Sequence, residues 1–265
     1  MTRMRRAREA FLSQAGTAGP VVIGLALGGG GALGAAHVGV LKALQECGIL
    51  PSVVAGTSAG SLIGAAYAAR MPVSRIEELV RAAGWSAFGR LRPSPRLGLL
   101  DSTALLDTID RLGGEPLIED LPRRFAAVAT DLRTRQAVVL DRGRVGIALR
   151  ASIAVPGMFA PVITGERVLV DGGLAANLPI DAARQLGATF TIGVRLRPEW
   201  EHIPVVRSAQ RIAALEKSPE VLMVRPHLNG FSQWSRADVP RIIEAGYTAT
   251  LASLETWKDQ QPRVA

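Results

Sequence analysis

The fold of this chain is decided by the stretch Gly56-Thr57-Ser58-Ala59-Gly60, which joins an apolar run to a helical one. The preceding run, Val53-Val54-Ala55, is typical of a short buried strand, and the run from Leu62 to Tyr67 is typical of a helix. A G-x-S-x-G pattern at such a junction places a serine on a sharp strand-to-helix turn, where small neighbours permit close packing. The stretch therefore predicts a strand-turn-helix unit that presents Ser58.

A second turn, about thirty residues upstream, is rich in glycine. It reads Gly28-Gly29-Gly30-Gly31-Ala32-Leu33-Gly34 and lies between an apolar strand and a helix. Adjacent glycines allow several backbone N–H groups to point at one place, which is what an oxyanion hole requires. Acyl transfer needs such a hole together with a hydroxyl nucleophile. The two turns together predict a serine hydrolase.

The rest of the chain alternates between strand-like and helical patterns, which predicts an α/β fold with a largely parallel sheet and helices on both faces. Ser74 and Glu77 predict a capping box at the start of one helix, and residues 84–100 are predicted to be a loop. Strands are predicted at 21–27, 53–55, 125–130, 136–140, 167–170, 190–196 and 221–224, and helices at 34–46, 58–69, 74–83, 101–112 and 236–254.

We expect one catalytic domain over residues 21–255, preceded by a basic, flexible segment at 1–20 and followed by a tail at 256–265. The uncharged stretch 20–41 is as long as a membrane span. Its glycines, its histidine and its change from strand to helix pattern argue against a transmembrane segment.

Composition constrains location and partners. A single cysteine, Cys47, cannot form an intramolecular disulfide and favours a reducing compartment. The formal net charge of +8 favours an anionic partner. Because the basic residues beyond 3–8 are scattered and no zinc-ligand spacing occurs, nucleic acid is not expected. We expect a cytoplasmic protein, without metal or cofactor, that is able to contact the inner membrane face peripherally.

The glycine turn also fits a dinucleotide-binding pattern, Gly29-x-Gly31-x-x-Gly34. That function needs an acidic residue at the end of the second strand to bind the ribose. The second strand here ends in Gly56-Thr57-Ser58 and has no carboxylate nearby, which argues against a nucleotide site.

The group that activates Ser58 has two candidates. An α/β-hydrolase triad needs a downstream histidine, and the chain offers His202 and His227, neither in a glycine-rich turn. Alternatively, Asp171 ends an apolar strand and is followed by Gly172 and Gly173, so it can approach a neighbouring loop closely. Burial at a strand end raises the pKa of a carboxyl group and makes it a better base. Since ligand chemistry collects at the carboxyl ends of strands, we expect Asp171 to meet Ser58 and the glycine turn there.

These motifs resemble those of the bacterial patatin-like phospholipases. The similarity extends from about residue 21 to 250, and three ordered motifs with their connecting segments make it highly specific. It rests on the glycine turn with His37-Val38-Gly39-Val40-Leu41, on Gly56-Thr57-Ser58-Ala59-Gly60, on Asp171-Gly172-Gly173, and on the connecting segments 125–131, 150–157 and 177–179.

The resemblance implies a three-layer α/β/α fold and hydrolysis of lipid acyl esters, of the phospholipase A, lysophospholipase or carboxylesterase type. It implies a dyad in which Ser58 is the nucleophile and Asp171 the base. The oxyanion hole would be formed by the backbone N–H groups of Gly29, Gly30, Gly31 and Ala32, with that of Ala59. The motif residues are Gly29, Gly31, Gly34, Gly56, Ser58, Gly60, Asp171, Gly172 and Gly173.

The chain departs from the family pattern at Leu33, where the family usually has arginine or lysine. Backbone donors do not depend on that side chain, but a role for the cation in binding phosphate is put in doubt. A neutral or single-chain ester therefore fits better. A non-catalytic lipid-binding or regulatory protein on the same scaffold is the alternative from another functional class.

Residues 85–100 alternate apolar side chains with Arg90, Arg92 and Arg96 and contain no acidic residue. Such a segment can lie on an anionic membrane, with its arginines near the headgroups. An ordinary connection whose apolar residues pack inward is the competing interpretation.

Overall fold

The computed structural model describes residues 21–82, 90–94, 98–101, 114, 116–196, 209–215, 218–232 and 237–260 of the 265-residue chain. Short 3-10 turns in these ranges cover Gly31–Ala35 and Ile118–Asp120. The strands are β1 Ile23–Leu27, β2 Val53–Thr57, β3 Arg90–Ser94, β4 Gly98–Asp101, β5 Arg124–Asp131, β6 Gln136–Leu140, β7 Val162–Thr164, β8 Arg167–Asp171, β9 Phe190–Val194 and β10 Val221–Val224. The helices are α1 Ala36–Glu46, α2 Ala59–Ala68, α3 Val73–Ala82, α4 Val145–Ser152, α5 Gly173–Ala176, α6 Ile180–Gln185, α7 Ala209–Leu215 and α8 Val239–Gln260.

The central sheet is largely parallel, as predicted. Strands β10, β9, β1, β2 and β5 pair in this order and all run in the same direction. The sequence patterns did not indicate that β6 and β8 both pair antiparallel with β5, nor that β7 pairs antiparallel with β8. The architecture is therefore a mixed α/β fold with a parallel centre and antiparallel hairpins at one side.

Helices cover both faces of the sheet. Alternate residues of β1 point in opposite directions, so Leu25 and Leu27 join one buried cluster and Ala26 joins another. The larger cluster includes side chains of α1, α2, α4 and α8, whereas the smaller one includes those of α6 and Ile212 of α7. The three layers place every loop that follows a parallel strand at the same edge of the sheet.

The predicted capping box is wrong. Helix α3 begins at Val73, so Ser74 lies inside it. The Glu77 carboxylate instead binds Lys42 and Arg81, at 2.8 and 2.7 Å. The Glu77 carboxylate therefore pairs with two cations, whereas a capping box would have directed it to the backbone N–H of Ser74.

The predicted loop at 84–100 is partly wrong as well. Strands β3 and β4 form a separate antiparallel pair there, and Asp101 is the last residue of β4. A two-stranded ribbon leaves one edge of each strand unpaired, so Pro93 is tolerated within β3. The remainder of the predicted helix, 102–112, lies outside the described residues, as do 85–89 and 95–97 of the predicted membrane loop.

The structure describes only part of the two terminal segments in the predicted domain division. Residues 1–20 lie outside the described residues, and α8 continues through position 255 to Gln260. The division into one domain with two terminal segments stays a prediction. In the described part of the chain, no helix has the length and hydrophobicity needed to cross a bilayer.

Helices α1 and α8 pack backbone against backbone through two glycines. A Cβ at Gly39 would overlap the Ile243 carbonyl oxygen, and a Cβ at Gly246 would overlap the Ala36 carbonyl oxygen. Since Ala36 opens the helix that follows the glycine turn, this contact also fixes the turn from behind.

We expect Gly246→Ala to lower the free energy of unfolding by about 1–3 kcal/mol, because the added methyl must push two helix backbones apart. An ordinary helical glycine would show the opposite sign, since alanine favours helix by about 1 kcal/mol. Urea unfolding measures the change, with Ala252→Gly on the exposed side of α8 as the control for helix propensity. A more stable Gly246→Ala protein would contradict the close approach.

Candidate active site

Ser58 occupies a strained turn between β2 and α2. Its backbone has φ 52° and ψ −123°, a region that side-chain-bearing residues rarely adopt. The Ser58 N–H donates to Oγ of Ser152 at 2.9 Å, and that hydroxyl donates in turn to the Val128 carbonyl at 2.7 Å. The Ser58 carbonyl accepts from the N–H and the hydroxyl of Ser61, at 2.9 and 2.7 Å. Both backbone groups of the strained residue are therefore held in place.

The first turn of α2 lies directly against the glycine turn. A Cβ at Gly60 would overlap the Leu27 carbonyl oxygen at the end of β1, and a Cβ at Gly34 would come within 2.6 Å of the Ala59 Cβ. Only residues without a side chain permit this approach. The structure thus brings together the two motifs that the sequence placed thirty residues apart.

Asp171 is the last residue of β8 and is almost fully buried. Its Oδ1 accepts the Gly173 N–H at 2.7 Å, whereas Oδ2 makes no hydrogen bond of regular geometry within the described residues. Burial raises the pKa of this carboxyl group to about 6. The Ser58 side chain and the Gly173 N–H act in the opposite direction, because both favour the ionised form.

The register of β5 explains why Ser58 and Asp171 meet. Val128 pairs with Thr57 of β2 and with β6, and the next residue, Ala129, pairs with Asp171 of β8 and with β6. Because β6 pairs with β5 at residues 127–131, the positions that contact β2 and β8, those two strands must share the other side. The two strands approach each other end to end, so Ser58 directly follows the last paired residue of β2 while Asp171 is the last paired residue of β8.

The predicted oxyanion donors divide into two groups. The Gly29 N–H donates to the Asn177 carbonyl at 3.1 Å and is therefore already engaged in this structure. The N–H groups of Gly30, Gly31, Ala32 and Ala59 have no acceptor within the described residues. Ala59 opens α2, and the first N–H groups of a helix have no partner inside the helix and favour negative charge.

Three buried polar residues that the sequence chemistry did not single out support this arrangement. Nε2 of His37 lies 2.8 Å from the Gly28 carbonyl, and burial lowers the pKa of His37 to about 4. The ring is therefore neutral near pH 7 and donates to the glycine turn through Nε2–H. Ser152 holds the Ser58 backbone as described above, and the Asn177 carbonyl holds Gly29. In the sequence, these three residues were marked only by lying in segments that resemble the family.

The segment after Asp171 returns to the nucleophile turn. The Thr57 hydroxyl donates to the Ala176 carbonyl at 2.8 Å, next to the contact made by Asn177. A Cβ at Gly172 would overlap the Val128 carbonyl and lie 3.0 Å from Cγ2 of Thr57. Gly172 thus allows the chain to leave the sheet directly beside β2.

Of the two histidines of the alternative triad, the structure describes only His227, and it does not meet Ser58. His227 follows β10, is exposed, and lies three strands away from β2 in the sheet order. At about 4.8 Å per strand this separation is about 14 Å. His202 lies outside the described residues.

Leu33 is fully buried in the larger hydrophobic cluster. The Leu33 side chain therefore points into the core. It lies beside Gly30, since a Cβ added to Gly30 would come within 3.6 Å of the Leu33 Cβ.

Among the described residues, no group of three or more His, Cys, Asp or Glu side chains is arranged to hold a metal ion.

Comparison with known proteins agrees with this geometry. A family model described as Patatin-like phospholipase matches residues 25–184. An uncharacterised NTE family protein of Mycobacterium tuberculosis is 38% identical over 182 residues, which cover 66% of this chain and 49% of that protein. Patatin-like phospholipase domain-containing protein 6 of Homo sapiens is 37% identical over 179 residues, which cover 65% of this chain and 13% of that protein.

A solved structure shares the fold. The crystal structure of VipD from Legionella pneumophila superposes with a TM-score of 0.58 at 15% identity, covering 90% of this chain and 67% of that one. The aligned region spans about half the length of the Mycobacterium relative. The matched residues 25–184 make up more than half of the chain and contain the glycine turn, Ser58 and Asp171. The chain belongs to the patatin-like phospholipase family.

Proposed function

We propose that this protein is a serine hydrolase that cleaves acyl esters of lipids, of the phospholipase A, lysophospholipase or carboxylesterase type. The observation that carries the proposal is the end-to-end meeting of β2 and β8 on β5, which sets a strained serine beside a buried carboxyl group. Membership of the patatin-like phospholipase family supports the lipid substrate class.

In the first half of the proposed reaction, Ser58 attacks the ester carbonyl carbon. Its hydroxyl proton passes to Asp171, where Oδ1 is engaged by the Gly173 N–H and Oδ2 is left to accept it. The bond between the carbonyl carbon and the leaving alcohol then breaks, and Asp171 returns the proton to that alcohol. The acyl group stays on Oγ of Ser58.

In the second half, water replaces the alcohol. It gives a proton to Asp171 while its oxygen bonds to the acyl carbon, and the bond to Oγ breaks as Ser58 recovers a proton. A pKa of about 6 suits both halves, since Asp171 is mostly ionised at pH 7 yet basic enough to take a proton. A histidine is not required.

The negative charge that develops on the carbonyl oxygen would be met by backbone N–H groups. Candidates are those without another acceptor in the described residues: Gly30, Gly31, Ala32 and Ala59. Removing one such donor in other hydrolases costs about 10²–10³ in rate.

The same turn bears on the substrate. Because Leu33 is buried and apolar, the turn itself has no cationic side chain for a phosphate group. We infer a preference for neutral or single-chain esters.

Ser58→Ala is expected to abolish hydrolysis of p-nitrophenyl esters while the protein stays folded, since no other hydroxyl occupies the strained turn. Initial rates on short- and medium-chain esters measure the loss, and circular dichroism checks the fold. His227→Ala and His202→Ala serve as controls and should retain most activity. Activity within tenfold of wild type in Ser58→Ala would refute the mechanism, whereas an inactive histidine variant would favour a triad.

Asp171→Asn is expected to lower the rate by at least ~10³-fold and to raise stability at pH 8. The pKa of Asp171 is raised from 3.8 to about 6 in the fold. The stability that this group contributes below pH 3.8 is therefore lost as the pH rises through 6, where the carboxylate is buried ionised. Asparagine carries no charge, so the substitution should raise the free energy of unfolding at pH 8 by up to about 3 kcal/mol.

Urea unfolding of wild type and Asp171→Asn at pH 4 and pH 8 measures this effect. The gain should be larger at pH 8 than at pH 4. An equal or smaller gain at pH 8 would mean that Asp171 is not a destabilised, buried carboxylate.

A further inference from the structure

Two hairpin turns extend beyond the edge of the sheet at which Ser58 and Asp171 lie. Strand β5 continues past Ala129 to Asp131 and turns into β6 through residues 132–135, while β7 turns into β8 through 165–166. At about 3.3 Å per residue, Leu132 lies about 10 Å beyond the level of Asp171. We name these two turns with their flanking residues, 132–135 and 163–168, the hairpin platform.

The platform carries an exposed apolar row. Ile163 of β7 pairs with Val168 of β8, and the Leu132 N–H donates to the Val168 carbonyl at 2.8 Å. Residues that face each other across strands lie on the same face of a sheet. Ile163 is 71% exposed and Leu132 is 50% exposed. Two large exposed apolar side chains thus flank Val168 on either side, beyond the edge at which the candidate site lies.

Positive charge surrounds this row. Arg133, Arg135 and Arg167 are exposed, and in the described part of the chain none of them takes part in an ion pair. The nearby acids are Glu166, which is exposed, and Asp131, which is buried and accepts the Arg133 N–H at 3.0 Å. The platform therefore has an excess of cationic side chains.

We propose that the hairpin platform docks on an anionic lipid bilayer, with the three arginines among the headgroups and Leu132 and Ile163 inserted between them. Guanidinium groups beside exposed apolar side chains fit this interface better than nucleic acid, which offers no apolar surface to the leucine and isoleucine. Docking here turns the edge with Ser58 towards the membrane. The inference rests on the proposed function for the source of substrate, but not for the binding itself.

The test measures co-sedimentation with vesicles of phosphatidylcholine, with and without phosphatidylglycerol, in the Ser58→Ala background so that the lipid stays intact. Leu132→Ser/Ile163→Ser and Arg133→Gln/Arg135→Gln should each weaken binding to the anionic vesicles about tenfold or more. Added salt should weaken binding of the parent protein.

Matched controls lie at the opposite edge of the sheet. Leu50 is 61% exposed and precedes β2, Arg70 lies between α2 and α3, and Arg75 lies in the first turn of α3, where it pairs with Glu78. Leu50→Ser and Arg70→Gln/Arg75→Gln remove comparable apolar surface and the same charge, and they should bind as the parent does.

Platform variants that bind as tightly as these controls would overturn the proposal. So would loss of binding confined to Arg90→Gln/Arg92→Gln/Arg96→Gln, or affinity for DNA in place of vesicles. The same platform changes in the wild-type background should leave hydrolysis of a soluble short-chain ester unchanged. If binding depends on the platform but the wild-type protein has no esterase activity, the docking proposal stands and the proposed function is refuted.

Discussion

Pairing of two opposed strands with one side of β5 is the constraint on which the rest of the site depends. Val128 pairs with the end of β2 and Ala129 with the end of β8, so neither strand can continue without meeting the other. Both chains must turn out of the sheet there, one at Ser58 and one at Gly172. A register shift of one residue on β5 would move Asp171 relative to Ser58 and turn its side chain to the opposite face. The juxtaposition of nucleophile and carboxylate thus follows from backbone hydrogen bonding before any side chain is considered.

Buried polar contacts then fix the turns that this pairing creates. Ser152 holds the strained Ser58 backbone, His37 holds Gly28, and Asn177 holds Gly29. Several buried polar atoms at the site make no hydrogen bond of regular geometry within the described residues: Oδ2 of Asp171, Oδ1 of Asn177 and Nδ1 of His37. Strain and unsatisfied polar groups lower stability, and they concentrate where function needs them. The packing of helix α1 against helix α8, together with the packing of the sheet, supplies the stability that the site lacks.

Local features of the site could be predicted from the sequence, whereas long-range ones could not. The turns at Ser58 and at the glycines follow from short apolar runs and small residues within a few positions. Asp171 was expected at the same edge because strand ends collect there, but β8 arrives antiparallel, and only the register of β5 explains the meeting. The contact between Ser58 and Ser152 joins residues 94 positions apart, and no local pattern marks it. The predicted capping box failed as well: α3 begins at Val73, and Glu77 binds Lys42 of another helix, a tertiary contact that no local pattern marks.

The most direct measurement is the rate at which a fluorophosphonate modifies Ser58 as a function of pH, with the modified peptide identified by mass spectrometry. If Asp171 is the base, labelling falls on Ser58 alone. Its rate then rises about tenfold per pH unit below pH 6, levels off above the pKa of about 6, and is lost in Asp171→Asn. Labelling at another residue, or a rate in Asp171→Asn equal to that of wild type, would contradict a Ser58–Asp171 dyad.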